Sequence, residues 1–518
     1  MCKNYRKFKR CYRTNELKQT HPFQFVEVLA VPRYSFNFSQ AIPVDVLEFP
    51  ALKGAPISEQ IGKPDLEVKL NVIVWSFSAM SRYHLYRTMP NVLHHLHSEL
   101  KAVEYVRVSR IGDQFSNLIA LLTGSRKRDI DECWPNRASS FDNCPVIWKR
   151  FSEQNYLTLY ADDDPTGVFT SGKPGFNESP ADCYYRPWAM QSSSAIFPCV
   201  GPETGAQKVL QFAKKFAQES VALGRKFFQF IWTHVPELNW PLEDVVENYL
   251  KSLAPTLNQT LLVFLSAQGF SYGPLRDTSM GSFEARNPFL FYVLPAWFSE
   301  KFPMAFENLA ANRKKLTTLL DVHETLYDFL DMTSLSPGHL NSREKYLKES
   351  RARKKIESVF LPTRGVSHFL STPVRKCAEA GISDHDCLCH RPQGGCVGVG
   401  PLTEKMGKFV VHNTNKILAN FNAILKKCSY LRLRKVLCLT PVQRACMPHV
   451  GINGKKSQTE LFRLKFTTIP GNGVFEATVS VNSDRLRMMG EIDRINELKN
   501  ENNCTNDEEF RRFCVCSN

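Results

Sequence analysis

What most limits the fold is an alternation, between about residues 70 and 335, of short apolar runs with longer stretches of helical periodicity. Leu70 to Trp75, Tyr156 to Ala161, Phe227 to Trp232, Thr260 to Leu265 and Pro288 to Leu294 are each compact and mostly apolar or β-branched, as strands buried on both faces must be. Between them lie helical stretches such as Gln207 to Leu223, where Val209, Phe212, Phe216 and Val221 roughly track one face. This order predicts an α/β fold, a parallel or mixed sheet flanked by helices. Such sheets bind ligands in the loops at the carboxyl ends of their strands, so chemistry is to be sought there.

The flanks differ in texture. Residues 1–65 read as a β-rich leader with Phe25 to Val31 as its clearest strand, residues 66–335 as the α/β domain, and residues 336–400 as a cysteine-rich connecting segment. Residues 401–518 read as a small α+β region, with a helix near Thr403 to Leu425 and a hairpin of Leu461 to Ile469 with Gly473 to Val481. Sixteen cysteines suit disulfides in oxidising surroundings. The candidates are Cys133, Cys144, Cys183, Cys199, Cys377, Cys387, Cys389 and Cys396. Cys387, Cys389, His390 and Cys396 could also be read as a zinc site, but their spacing is not that of a standard finger.

Apolar runs such as Pro288 to Phe298 fall short of the roughly 20 residues a membrane-spanning helix requires, so no transmembrane segment is expected. No apolar stretch of signal-peptide type follows the basic amino terminus. Cysteine content nevertheless points to the secretory pathway or the extracellular space, and sequons at Asn37, Asn177, Asn258 and Asn503 fit a glycoprotein, although chance supplies about as many. The formal charge of +15 favours an anionic partner, a glycan or a protein, while nucleic-acid binding has no supporting motif. Basic clusters lie at Lys3 to Arg13, Arg343 to Lys355 and Lys426 to Lys435, the second interleaved with Glu344 and Glu349 as on a solvated helix face. Gly454-Lys455-Lys456-Ser457 lacks the earlier glycine and the hydroxyl residue that a phosphate-binding loop needs.

Several long segments carry a family resemblance. Ser81-Arg82 followed by Arg87-Thr88-Met89-Pro90, Asn117 to Gly124 (N-L-I-A-L-L-T-G), Cys133-Trp134, and Phe141 to Trp148 (F-D-N-C-P-V-I-W) are similar to segments of one animal family. Cys377 to Ile382 (C-A-E-A-G-I) and Cys387-Leu388-Cys389 extend the similarity, which runs from about residue 70 to about 435. The family is domain of unknown function 229 (DUF229), a branch of the alkaline phosphatase and sulfatase superfamily. The resemblance implies that superfamily's α/β fold and, in a typical member, metal-assisted hydrolysis of a phosphate or sulfate ester.

The departures from the pattern bear on activity. Where the resemblance implies a metal-binding aspartate after the first strand, this chain has Ser78; where it implies a nucleophilic threonine, the segment reads Gly112-Asp113-Gln114-Phe115-Ser116, one residue short. The S-D-H-G element that supplies two ligands becomes Ser266-Ala267-Gln268-Gly269. A further ligand histidine aligns with Val235, or with His234 after a one-residue shift. Divalent ions that polarise such esters are held by Asp, Glu and His, and serine, alanine and glutamine are no substitute. Without the ions a hydroxyl nucleophile keeps too high a pKa to act near neutrality.

Ser78, Gln114, Ala267 and Gln268 therefore mark degenerate catalytic positions, and the expected reading is a non-catalytic protein that needs no metal cofactor, the ancestral ions being lost. The alternative is an atypical metal-dependent phosphoester or sulfate-ester hydrolase. Asp113, Asp162, Asp163, Asp164, His234, Arg276, Glu284 and Arg286 are the residues left to line a residual cleft. Each has a plainer reading: an Asp-rich turn for 162–164, and structural ion pairs for Arg276, Glu284 and Arg286. Asp321 and His323 likewise read as packing or capping residues of an apolar helix.

Overall fold

The computed structural model describes residues 25–30, 42–48 and 69–517, apart from 137, 165–166, 168, 170–172, 188, 190–198, 201–202, 235–241, 358–364, 398–399, 426, 445–458, 483–484, 498–501 and 506. The basic cluster at Lys3 to Arg13, the sequon at Asn37 and the segment Gly454 to Ser457 lie outside the described residues. In chain order, β1 (Phe25–Ala30) pairs antiparallel with β2 (Ile42–Glu48). Next come β3 (Asn71–Phe77), β4 (Val103–Glu104), β5 (Leu157–Asp162) and β6 (Cys183–Tyr184). A small ribbon, β7 (Cys199–Val200) with β8 (Glu203–Thr204), precedes β9 (Phe227–Thr233), β10 (Thr260–Ser266) and β11 (Leu290–Val293).

The main sheet has the order β4-β11-β10-β3-β9-β5-β6. Strands β10, β3, β9, β5 and β6 run parallel, whereas β11 and β4 close one side antiparallel, so the sheet is mixed. Alternate residues of each central strand enter different cores. Val72, Val74, Phe230 and Val263 pack on one face beneath the helices Gln114–Thr123 and Leu319–Tyr327, while Ile73, Trp75, Ile231 and Phe264 meet Gly205–Ala222 and Glu243–Ser252 on the other. Two buried faces explain why the strands read as continuous apolar runs. Each such side chain contributes about 1.5–3 kcal/mol through burial.

The C-terminal sheet is built from β12 (His390–Pro392), β13 (Arg432–Arg444), β14 (Thr459–Ile469), β15 (Val474–Asn482) and β16 (Arg485–Met488), with β17 (Asp493–Arg494) paired to β15. The helix Pro401–Leu425 covers its apolar face, setting Met406 and Val410 in one core with Leu464, Phe466, Phe475 and Ala477. Gly407 lets that helix approach, since a β-carbon there would lie 2.8 Å from Leu433. Disulfides join Cys133 to Cys144, Cys377 to Cys387, Cys396 to Cys438, Cys428 to Cys514 and Cys504 to Cys516, and Cys389 is disulfide-bonded too. Cys183 corrects the sequence expectation: it is a free thiol buried in β6, pushed up to about 12 by desolvation. The side chain of Cys199 lies outside the described residues. Among the described residues no helix is long and apolar enough to cross a membrane.

Candidate functional site

Strands β10, β3, β9 and β5 end side by side, and backbone bonds stitch their carboxyl ends together. Ser78 N donates to Thr233 O at 2.9 Å, Ala267 N to Phe77 O at 2.9 Å, and Met80 N to Gln268 O at 2.7 Å. Ser78 and Ala267 are fully buried. The Gln268 amide turns to the Ser271 hydroxyl, 3.3 Å away. Gly269 is required there, because a β-carbon would collide with the Glu284 carbonyl. Three of the four positions expected to be degenerate thus share one edge, and none of the three offers a carboxylate or imidazole. The fourth, Gln114, opens the helix Gln114–Thr123, whose cap is Asp113 accepting from Ser116 N at 2.8 Å.

The Asp-rich turn after β5 is adjacent. Asp163 Oδ1 accepts from His234 N at 2.6 Å, Asp164 N donates to Asp162 Oδ1 at 2.9 Å, and the Tyr160 hydroxyl donates to Asp162 Oδ2 at 3.0 Å. Burial, reinforced by Asp164, pushes the Asp162 carboxyl up to about 8; burial also holds Asp163 well above its ordinary range. His234 is joined to this turn through its backbone; the segment 235–241, which includes Val235, lies outside the described residues.

Asp113 faces another way. Burial would raise it, but Lys127 and Arg512 hold it below the usual carboxylate range, with Arg512 Nη2 3.8 Å from its Oδ2. Its neighbourhood opens on a cleft of about 790 Å³ between the α/β domain and the C-terminal region, lined by Trp134, Lys127, Arg128, Arg487, Met488 and Glu491 among others.

Arg276 and Arg286 do not line an open cleft. Each is 2% exposed and bound to the C-terminal sheet. Arg276 Nη2 lies 3.2 Å from Glu476 Oε1, and Arg286 Nη2 lies 2.5 Å from the same oxygen. Glu284 stays within the α/β domain, accepting from both Arg87 Nη atoms and from the Ser81 hydroxyl at 2.6 Å. Asp321 completes the capping box of its helix and pairs with Arg375, and His323 Nδ1 contacts Leu121 O at 2.9 Å.

The donor set tests whether divalent ions fit the strand ends. Among the described residues, three ligand atoms of His, Cys, Asp or Glu come together only at Cys377, Cys387 and Cys389 and at His385, Glu476 and Asp493. The first set is committed to disulfides, and guanidinium groups hold the carboxylates of the second. Neither lies at Ser78, Gln114, Ala267 or Gln268, so the described residues there do not fit a metal pair. Sequence reasoning missed His385, Asp386, Arg463, Glu476 and Asp493. The available signal was Glu476 itself, a lone charge within the apolar run Val474 to Val481.

A mixed, helix-flanked sheet, followed by a disulfide-fastened α+β region, defines the molecule as an α/β protein with two packed sheets. The chain belongs to the DUF229 family, described as protein of unknown function, whose profile matches residues 6–437. No curated protein matches it. Similar solved structures include a protein in the alkaline phosphatase superfamily from Vibrio parahaemolyticus, 8% identical, covering 82% of each chain with a TM-score of 0.36. The zinc complex of the C-terminal periplasmic domain of EcEptC from Escherichia coli is 14% identical, covering 53% of this chain and 84% of its own, with a TM-score of 0.36. A phosphonate monoester hydrolase of Agrobacterium radiobacter is 15% identical, covering 51% of this chain and 74% of its own, also with a TM-score of 0.36.

Proposed function

We propose that this chain is a non-catalytic member of its family, a secreted-type protein that uses a hydrolase-like scaffold to bind an anionic glycan or protein. The observation that carries the reading is the strand-end edge: Ser78 and Ala267 are buried, their backbones are tied to neighbouring strands, and among the described residues no cluster of metal-ligating side chains gathers beside them. An ester oxygen placed there would meet neither a divalent cation's ligand set nor a hydroxyl in the position of the family's threonine. Disulfides in both sheet regions support an oxidising compartment. The net charge of +15 supports an anionic partner through long-range attraction.

Metal analysis of the purified protein, combined with aryl phosphate and aryl sulfate assays, tests the reading; substoichiometric metal and no turnover are expected. Stoichiometric zinc, calcium or magnesium together with turnover would overturn it in favour of an atypical hydrolase. The bond between Asp163 and the His234 backbone is the observation that favours that second reading, since it brings an acidic turn and a histidine to neighbouring strand ends. Partner binding is tested by retention on a sulfated-glycan column, expected to fall steeply as salt rises.

A further inference from the structure

The positive charge of this chain is not spread evenly. Between Glu404 and Glu460 the sequence holds eleven lysines and arginines and not one aspartate or glutamate, so these 55 residues carry most of the formal charge of +15. The basic cluster at Arg343 to Lys355, by contrast, is interleaved with Glu344 and Glu349. A surface that only has to stay soluble mixes both signs, whereas a long run of one sign repels itself and suits an anionic partner.

The fold gathers much of this run on one surface. The helix Pro401–Leu425 turns Met406, Val410, Val411 and Leu418 into the C-terminal core. Lys405, Lys408, His412 and Lys416, spaced three and four residues apart, share the opposite face, and all four are exposed along roughly 16 Å of helix. Asn415 clamps the helix to the start of β13: its Nδ2 donates to Leu431 O at 2.7 Å, and its Oδ1 accepts from Leu431 N at 2.9 Å. Lys416 and Arg432 flank that clamp, and the exposed Arg434 and Lys435 follow along the strand. Here β13 pairs with β14 on one side, while β12 meets its other side only from Val442 onward, so among the described residues the basic start of β13 is a sheet edge. Ion pairs reach Lys408 from Glu404 and Arg444 from Asp384, through contacts exposed enough to leave most of the charge of the run in place.

We infer that this surface, the outer face of the helix Pro401–Leu425 with the first half of β13, is the docking site for a linear sulfated glycan. The inference rests on the anionic-partner reading above and gives that partner a place and a chemical class. An extended row of separate cations matches a chain of repeated sulfates, whereas a single phosphate would need a pocket. The apolar face of the helix is spent on the sheet, so none is left to enter a lipid bilayer. The disulfides joining Cys396 to Cys438 and Cys428 to Cys514 fasten β13 and its approach, and they suit an oxidising compartment, whose linear polyanions are sulfated glycans rather than nucleic acids.

The test runs the full chain on heparin and on a plain sulfonate exchanger, each eluted with rising salt. The wild type is expected to leave heparin at the higher salt concentration, and equal elution from the two overturns the inference. Two triple variants, Arg432→Ser with Arg434→Ser and Lys435→Ser, and Lys405→Gln with Lys408→Gln and Lys416→Gln, should each weaken heparin binding on the order of tenfold. Removing three exposed bases elsewhere, by Arg128→Ser with Lys345→Gln and Lys348→Gln, should change it less than about twofold. A wild type that heparin does not retain at low salt removes the anionic-partner reading and this site with it. Retention that the control variant lowers as much as the other two keeps that reading and overturns this site, as does capture by phosphatidylserine vesicles without binding to heparin. Should a variant not fold, the wild type decides: bound heparin is expected to shield Lys405, Lys408, Lys416, Lys427 and Lys435 from acetylation, and unchanged labelling at all five overturns the inference.

Discussion

Asp162 and Glu476 are both fully buried carboxylates, and the two regions that hold them treat the charge in opposite ways. At the carboxyl edge of the main sheet, burial and Asp164 push Asp162 up to about 8 against the weaker pull of Arg186. At the seam between the main sheet and the C-terminal sheet, burial acts on Glu476 in the same direction, but Arg276, Arg286 and Arg463 reverse it and hold the carboxyl well below its ordinary range. At the strand-end edge, serine, alanine and glutamine stand at positions 78, 267 and 268. Charge is concentrated instead where two sheets must hold together. On the non-catalytic reading proposed above, charged residues in this chain mark assembly more than chemistry, and that contrast can be broken experimentally.

The largest effect should come from Glu476→Ala, which leaves three guanidiniums facing one another in a buried seam. A loss of about 3–5 kcal/mol in denaturant unfolding is expected, and a loss below about 1 kcal/mol would remove the seam from the comparison. Ala267→Asp should cost about 2–4 kcal/mol, because the new carboxylate would be buried beside Phe77 without a partner. Adding zinc or magnesium is expected not to restore that loss; restoration would mean that a ligand set survives at the strand ends.

Asp162→Asn should act through pH. The folded-state pKa of Asp162 is raised, so its contribution is fully present below the ordinary carboxylate range and is lost as pH rises through about 8. Asparagine can keep the contact to Asp164 N and turn the Tyr160 hydroxyl into an acceptor. The variant should therefore be more stable than wild type above pH 8, by on the order of 2 kcal/mol, with little gain at pH 5. Asp493 gives the opposite sign: Arg110 and His385 hold its pKa low, so its contribution is present above the ordinary carboxylate range and is lost only as pH falls below it. The smallest effect sets the scale. Arg150→Ala breaks an exposed pair with Glu153 at 3.1 Å and should change stability by less than about 0.5 kcal/mol.

The five strands read from apolar runs all form, with ends moved by one or two residues, and the helix Pro401–Leu425 and the hairpin of β14 and β15 lie where periodicity and the Pro-Gly turn place them. These features are legible because strand and helix burial is periodic along the chain itself. Antiparallel β11 was not separable from its parallel neighbours, since a strand buried on both faces has the same composition in either direction. Cys183 shows the same limit, for a cysteine within an apolar core has no sequence mark that separates thiol from disulfide.

By itself, the sequence determined the layered α/β core and the cysteine-rich α+β tail, because each of these is written in local composition and spacing. Only the tertiary structure decided what the remaining charges do. Arg276 meets Glu476 across 200 residues of chain, and Arg110 meets Asp493 across 383. An ion pair depends on distance through space and on the burial around it, and neither has a period that the chain records.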